Sequence, residues 1–317
     1  MKIYLAPIKD LTTAYYRNLF IETFGGIDAC YAPFITTTHM RKSDSALFRD
    51  ILPENNNLSI PLIPQLLGND SEDFNYFAKN ICDLGYKEIN WNIGCPAPRI
   101  IKKRRGSGLL PYPDDVKDFL DGVCANLTYD LSIKMRLGLN DVEEGQEIIE
   151  LLNDYPIHSI TIHGRTGKMM YSGKSDVDAF ASLHHLSQHD LIYNGDIFTP
   201  KDYLRIKERF PTLEACMIGR GLLLNPFLPA SIKGLHLTAE EKFLKLKAYH
   251  DGTLIQHING VTDEKYLCSK TKEFWFYTSG LFTMDEDLLK EVRRCTTASE
   301  YHRISHKLFK CPLKTHH

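Results

Sequence analysis

A chain of 317 residues with a formal net charge of −2 has room for one large domain, alone or with an appendage, and lacks the overall basic charge of many nucleic-acid binders. Its eight cysteines, at positions 30, 82, 95, 124, 216, 268, 295 and 311, form no CxxC pair and no regular spacing, so neither a disulfide scaffold nor a metal site is expected. No apolar run approaches the ~20 residues of a membrane span, and Met1-Lys2 leads straight into Ile3-Tyr4-Leu5-Ala6-Pro7, too short for a secretory core; a cytoplasmic protein without a membrane partner is expected.

Short β-branched runs predict strands over 2–7, 27–33, 61–67, 88–93, 131–137, 159–163, 191–194 and 215–218. Amphipathic stretches between them, at 71–85, 114–127, 141–152 and 200–209, predict helices. Strict alternation implies parallel pairing, and eight such units match a closed (β/α)8 TIM barrel better than an open doubly wound sheet. Past residue 234 the strand runs stop, and helices are expected at 239–254, 266–280, 284–297 and 299–309. The expected division is therefore a barrel over 1–234 and a small all-helical C-terminal domain over 235–317. That second part carries 13 Lys/Arg against 11 Asp/Glu from residue 236 onward, making it the mildly basic one. Its aromatic run Phe274-Trp275-Phe276-Tyr277 reads as core.

The strand ends hold the unusual residues, and the C-terminal rim is where barrels place their sites. After the fourth strand comes Asn92-Ile93-Gly94-Cys95-Pro96. Gly94 tolerates backbone angles that other residues resist and Pro96 fixes φ, so the thiol of Cys95 can be held outward; the other reading is a free cysteine capping a buried strand. Lys134 and Arg136, two apart on the fifth strand, point the same way, toward the lumen or rim, where two cations call for an anionic or electron-rich ligand. A Schiff-base lysine and a salt-bridged pair are the alternatives. His163-Gly164-Arg165-Thr166 ends the sixth strand. Gly195, in Asn194-Gly195-Asp196, and Gly219-Arg220-Gly221 stand after strands seven and eight, the usual phosphate address of a barrel. Lys102-Lys103-Arg104-Arg105 lies beside the thiol-bearing turn and can meet a polyanion. His184, His185 and His189 read as a solvated helix face, and His316 and His317 as an inert end.

In this order and spacing, Ala6-Pro7, Gln65, Asn92-Ile93-Gly94-Cys95-Pro96 with Gly106-Ser107-Gly108-Leu109-Leu110, Lys134-Met135-Arg136-Leu137-Gly138, His163-Gly164-Arg165-Thr166, Asn194-Gly195-Asp196 and Ile218-Gly219-Arg220-Gly221 resemble the tRNA-dihydrouridine synthases. The likeness covers nearly the whole chain. It implies an FMN-binding barrel whose helical C-terminal domain contacts tRNA, with NADPH or NADH as reductant and no obligate protein partner. It implies that Cys95 protonates uracil C5 while hydride reaches C6, a role suited to an ordinary thiol, which is mostly protonated at neutral pH. By the same resemblance Pro7, Ile8, Lys9, Gln65, Lys134, His163, Asn194, Gly195, Asp196, Gly219 and Arg220 surround FMN, and Asn92 holds the uracil edge. From their charge and place, Arg136 and, in a loop more basic than the family pattern, Lys102 and Arg104 are expected to meet the substrate. Ile8-Lys9-Asp10 departs from the family pattern, and contacts there are expected through the backbone. The rivals are an FMN barrel acting on a free pyrimidine, similar to dihydroorotate dehydrogenase, a non-redox barrel using Lys134 as a Schiff base, and an RNA-binding module without catalysis.

Overall fold

A computed structural model of the chain describes residues 1–39, 45–57, 59–258 and 264–314. His316 and His317 lie outside them. Ten strands, β1 Lys2–Leu5, β2 Ala29–Tyr31, β3 Ile35–Thr36, β4 Leu62–Ile63, β5 Gln65–Leu67, β6 Glu88–Ile93, β7 Asp130–Arg136, β8 Ile157–His163, β9 Leu191–Asn194 and β10 Ala215–Ile218, form one sheet whose named pairings are all parallel. β1 pairs with both β10 and β2, β2 pairs with β4, and β5 pairs with β6. Only Pro64 separates β4 from β5, so the ladder returns to its start and closes as the expected barrel. Pro64 lacks an N–H, yet its carbonyl still accepts the Asn90 N–H at 2.9 Å. The run expected at 61–67 is thus one strand interrupted by proline. β3 was not anticipated; two residues are too few for a period-2 pattern to register.

Crossover helices follow the strands. Ser71–Asp83 begins at Asp70, whose side chain accepts the Asp73 N–H, and buries Phe74, Phe77, Ala78 and Ile81, one stripe at helical spacing. Pro113–Cys124 starts on a proline, whose missing N–H costs nothing in the first turn. Its Phe119 stacks on Trp91, with centroids 4.0 Å apart. Trp91 is fully buried on the outer face of β6 and donates its indole N–H to the Gly68 carbonyl at 2.9 Å. Truncating such a side chain typically costs about 3–5 kcal/mol, so β6 is held firmly.

The chain divides into two compact units, one of residues 1–14, 27–197 and 204–218 and the other of 15–26, 198–203 and 219–317. The first contains every strand of the barrel. The second is helical, with Ala14–Thr23 supplying residues 15–23 and with Ala239–Ile258, Glu264–Thr278, Glu286–Arg294 and Ala298–Leu308, close to the four expected spans. Its core gathers Leu246, Phe274, Trp275, Phe282, Tyr301, Leu308 and Phe309. The aromatic run reads as core at Phe274 and Trp275, while Phe276 is 63 % exposed. Among the described residues no helix is long and apolar enough to cross a membrane.

Candidate active site

Alternation along β6 sends Ile89, Trp91 and Ile93 outward and Glu88, Asn90 and Asn92 to the lumen face. Cys95 follows on a turn that is tied at three successive points. Asn92 Oδ1 accepts the N–H groups of both Gly94, at 3.0 Å, and Cys95, at 2.9 Å. Arg136 Nε donates to the Gly94 carbonyl at 3.0 Å. Ser107 donates its N–H, at 3.0 Å, and its hydroxyl, at 3.1 Å, to the Cys95 carbonyl. Both peptide groups flanking Cys95 are thereby fixed, and the half-buried thiol, not in a disulfide, is left to act.

The surrounding glycines are dictated by close approach. A Cβ on Gly94 would lie 3.1 Å from the Met135 backbone, and one on Gly106 would lie 2.6 Å from the Cys95 carbonyl oxygen. Gly106 also has φ +56°, a left-handed angle that favours glycine. The Gly106-Ser107-Gly108 motif therefore packs under the cysteine as a clamp, a task the sequence does not announce.

β7 places Lys134 and Arg136 on the same lumen face, as their spacing predicts, but employs them differently. Lys134 Nζ donates to Asn194 Oδ1 at 2.9 Å, and Asn194 in turn donates to the Met217 carbonyl at 2.8 Å. Loss of bulk water, followed by repulsion from Arg136, pushes the Lys134 ammonium down to about 7, with Cys95 pulling the other way. Arg136 is 3 % exposed, and its guanidinium also donates to the carbonyls of Thr166 at 2.7 Å and Met170 at 2.8 Å. It lies under the exposed Tyr171 ring, 5.6 Å from its centroid. Arg136 is thus a tether between the cysteine turn and the loop after β8. Expected on substrate, it spends its fork largely on the protein.

Of the other expected cofactor residues of the barrel unit, Gln65 lies within the lumen and the rest stand at or just after strand ends. Gln65 is fully buried on β5, and Asn92 donates Nδ2 to its Oε1 at 2.7 Å. Next to Lys134 in register, Thr161 is 1 % exposed, and its hydroxyl has no hydrogen-bond partner among the described residues. His163 is buried at the end of β8, its ring 6.3 Å from Tyr171. A Cβ on Gly195 would meet the Tyr193 hydroxyl at 2.1 Å. Asp196 accepts from the buried Arg165 at 2.5 Å and from the Ser175 N–H at 3.0 Å, so its carboxylate organises the loop that Arg165 also grips through Ser172 and Gly173. Pro7 and Ile8 form the turn after β1, where the Ile8 N–H donates to Thr12 Oγ1 at 2.8 Å. Lys9 is exposed, with its ammonium 5.7 Å from the Phe34 ring centroid. Gly219 and Arg220 belong to the helical unit, where Arg220 lies 5.7 Å from the Phe198 ring centroid.

The basic loop is less uniform than its sequence. Lys102 and Arg104 are both exposed, but Arg104 reaches Asp115 at 3.2 Å and stacks 4.2 Å from the Tyr112 centroid. Arg105 turns inward to Asn69 and the Thr37 carbonyl.

Sequence reasoning assigned no part to Ser107, Thr161, Arg165 or Tyr171. Thr161 could have been found from alternation with His163 on one strand; the carbonyl partners of Arg136 and Arg165 leave no sequence signal.

A family model described as dihydrouridine synthase matches residues 4–309. The chain is 31% identical over 232 residues, 72% of its own length and 67% of the relative's, to tRNA-dihydrouridine synthase B of Pasteurella multocida. It is 27% identical over 316 residues, 96% and 93% of the two lengths, to a tRNA-dihydrouridine(16) synthase of Neisseria meningitidis serogroup B. Among solved structures, histamine dehydrogenase from Rhizobium sp. 4-9 superposes with a TM-score of 0.56 at 11% identity, over 79% of this chain and 49% of that one. A morphinone reductase variant in complex with tetrahydroNAD gives 0.52 at 11% identity, over 75% and 88%. At that identity the two structures speak for the barrel fold alone.

Proposed function

The chain belongs to the dihydrouridine synthase family, and from that premise we propose that it reduces uridines of tRNA to 5,6-dihydrouridine, with Cys95 as the proton donor. The observation that carries the assignment of the acid is the threefold fixing of the turn: Asn92, Arg136 and Ser107 hold the backbone on either side of one free thiol at the barrel rim. Family membership decides against a free-pyrimidine dehydrogenase and against a Schiff-base barrel.

A flavin is the cofactor of this reading, and FMN its specific form. The residues fit it on two observations: the lumen holds the Lys134 amine, whose charge an electron-rich ring would favour, and beside it a buried Thr161 hydroxyl without a hydrogen-bond partner among the described residues. Gln65, His163, Asn194 and Gly195, with the backbone of Pro7 and Ile8, complete the barrel unit's part of this reading. When bound and reduced by NADPH or NADH, FMN supplies the hydride to uracil C6.

The chain supplies the rest. Cys95 gives its proton to C5, and the thiolate left behind is attracted by the nearby Lys134 charge until solvent returns a proton. Asn92 and Arg136 orient the thiol through the backbone. A uracil stacked within folded tRNA cannot reach the rim, so it must be flipped out at a cost of a few kcal/mol. Phosphate contacts from Lys102 and Arg104, together with the helical unit, would offset that cost.

Mass spectrometry of tRNA from cells lacking this protein tests the reading. One dihydrouridine position should disappear and return on complementation; an unchanged dihydrouridine profile would refute it.

A further inference from the structure

Asn92 carries the catalytic turn, but its own orientation is set from below. Its Oδ1 faces two backbone N–H groups, which can only donate, so its Nδ2 must point down, where it donates to Gln65 Oε1 at 2.7 Å. Gln65 then has only its amide NH₂ to offer, and Nε2 donates to Asn90 Oδ1 at 2.7 Å. Asn90 donates Nδ2 to Ser132 Oγ at 2.9 Å. Ser132 Oγ is thereby the acceptor on which the series ends. Glu88, two residues before Asn90 on the same face of β6, is half-buried, and burial raises its carboxyl above the ordinary value. The links run through a dry interior: Gln65 and Asn90 are 0 % exposed, Ser132 1 % and Asn92 7 %.

We propose that Asn90 and Ser132 continue below Gln65 as a one-way hydrogen-bond wire in the barrel that positions Asn92 and so the height of Cys95. The top sets its sense: backbone N–H groups are pure donors, so Asn92, Gln65 and Asn90 each accept above and donate below, down to the Ser132 oxygen. Each amide between has one orientation that satisfies both neighbours. In so dry a lumen an amide pointing the wrong way would oppose oxygen to oxygen, which is costly when buried. Asn90 and Ser132 touch neither cofactor nor substrate in this scheme; they are positioning residues. The inference rests on Cys95 being the acid of the reading above.

Two measurements on the flavin-loaded protein test it. Ser132→Ala and Asn90→Leu each cut the wire, and the expected result is about tenfold slower single-turnover dihydrouridine formation with unchanged tRNA affinity and flavin content. Ser132→Thr keeps the hydroxyl and should restore the rate. Hydrogen exchange followed by NMR gives the second readout: the Gly94 and Cys95 amides should exchange about tenfold faster in the cut variants while the other barrel amides keep their protection, a pattern that general destabilisation does not give. Should Ser132→Ala fail to fold, Ser132→Cys, of similar volume and feebler as an acceptor, should show the same direction. Wild-type turnover and wild-type protection at Gly94 and Cys95 in both cut variants would overturn the wire. If the wild-type enzyme itself forms no dihydrouridine, the functional reading fails, and the exchange data still judge the wire.

Discussion

Asn92 Oδ1 accepts the Cys95 N–H at 2.9 Å, so the residue that carries the thiol is fixed by the strand that delivers it. Asn92→Ala should leave the turn with two unsatisfied N–H groups and lower kcat by about tenfold to a hundredfold, since small misplacements of a reacting group cost that much. Steady-state kinetics check this, with KM for tRNA staying within about twofold if Asn92 works mainly through the backbone.

Arg136 joins the carbonyls of Gly94, Thr166 and Met170. Arg136→Lys keeps the charge but cannot span three acceptors, and each carbonyl left unpaired in a buried place costs about 1–3 kcal/mol. Expected together are a lower midpoint of thermal unfolding and a fall in kcat of at least the size seen for Asn92→Ala. A lysine variant with native stability and rate would show that charge alone is used.

The barrel could be read from the sequence because its strands alternate with amphipathic helices, and β6, β9 and β10 begin and end where their patterns do. The rim residues were legible as types at strand ends. Their tasks were not. Arg136 looks the same in sequence whether it meets a substrate or three carbonyls, because backbone acceptors carry no residue signature. Nor can Ser107 be paired with Cys95 until a left-handed Gly106 folds the loop beneath the turn. Residues 15–26 group with the C-terminal helices in space, and no local pattern in them says so.

Lys134 sits at about 7 in the protein without ligand, below the ordinary lysine value of 10.5. The unfolded chain therefore binds more protons between about pH 7 and 10, and this residue's contribution makes the cofactor-free protein gain stability as pH rises through that window. An electron-rich flavin restores the charge, so binding at pH 8 should take up close to one proton, and affinity should fall as pH rises. Titration calorimetry in two buffers of different ionisation enthalpy measures the uptake. Lys134→Met should abolish it and weaken flavin retention.

His250 is buried in the helical unit, its Nε2 2.9 Å from the Tyr301 hydroxyl, and burial pushes it down to about 4. Its neutral form is the folded one. As pH falls from about 6.5 to 4 the unfolded state gains a proton first, removing up to about 3 kcal/mol of stability. His250→Gln should flatten the fall in thermal midpoint over that range.

Lys102 is exposed, whereas Arg104 already meets Asp115 and Tyr112. Lys102→Ala should reduce the slope of log K against log salt for tRNA by about 1, and Arg104→Ala by less. Equal slopes in both variants and wild type would remove this loop from the tRNA interface.

The role of Cys95 is tested most directly by single-turnover reoxidation of the reduced flavin enzyme with unmodified tRNA, comparing wild type with Cys95→Ala. Wild type should reoxidise and leave dihydrouridine, while Cys95→Ala binds flavin and tRNA equally well yet stays reduced. Reoxidation and dihydrouridine formation by the alanine variant at the wild-type rate would contradict the assignment of Cys95 as the proton donor.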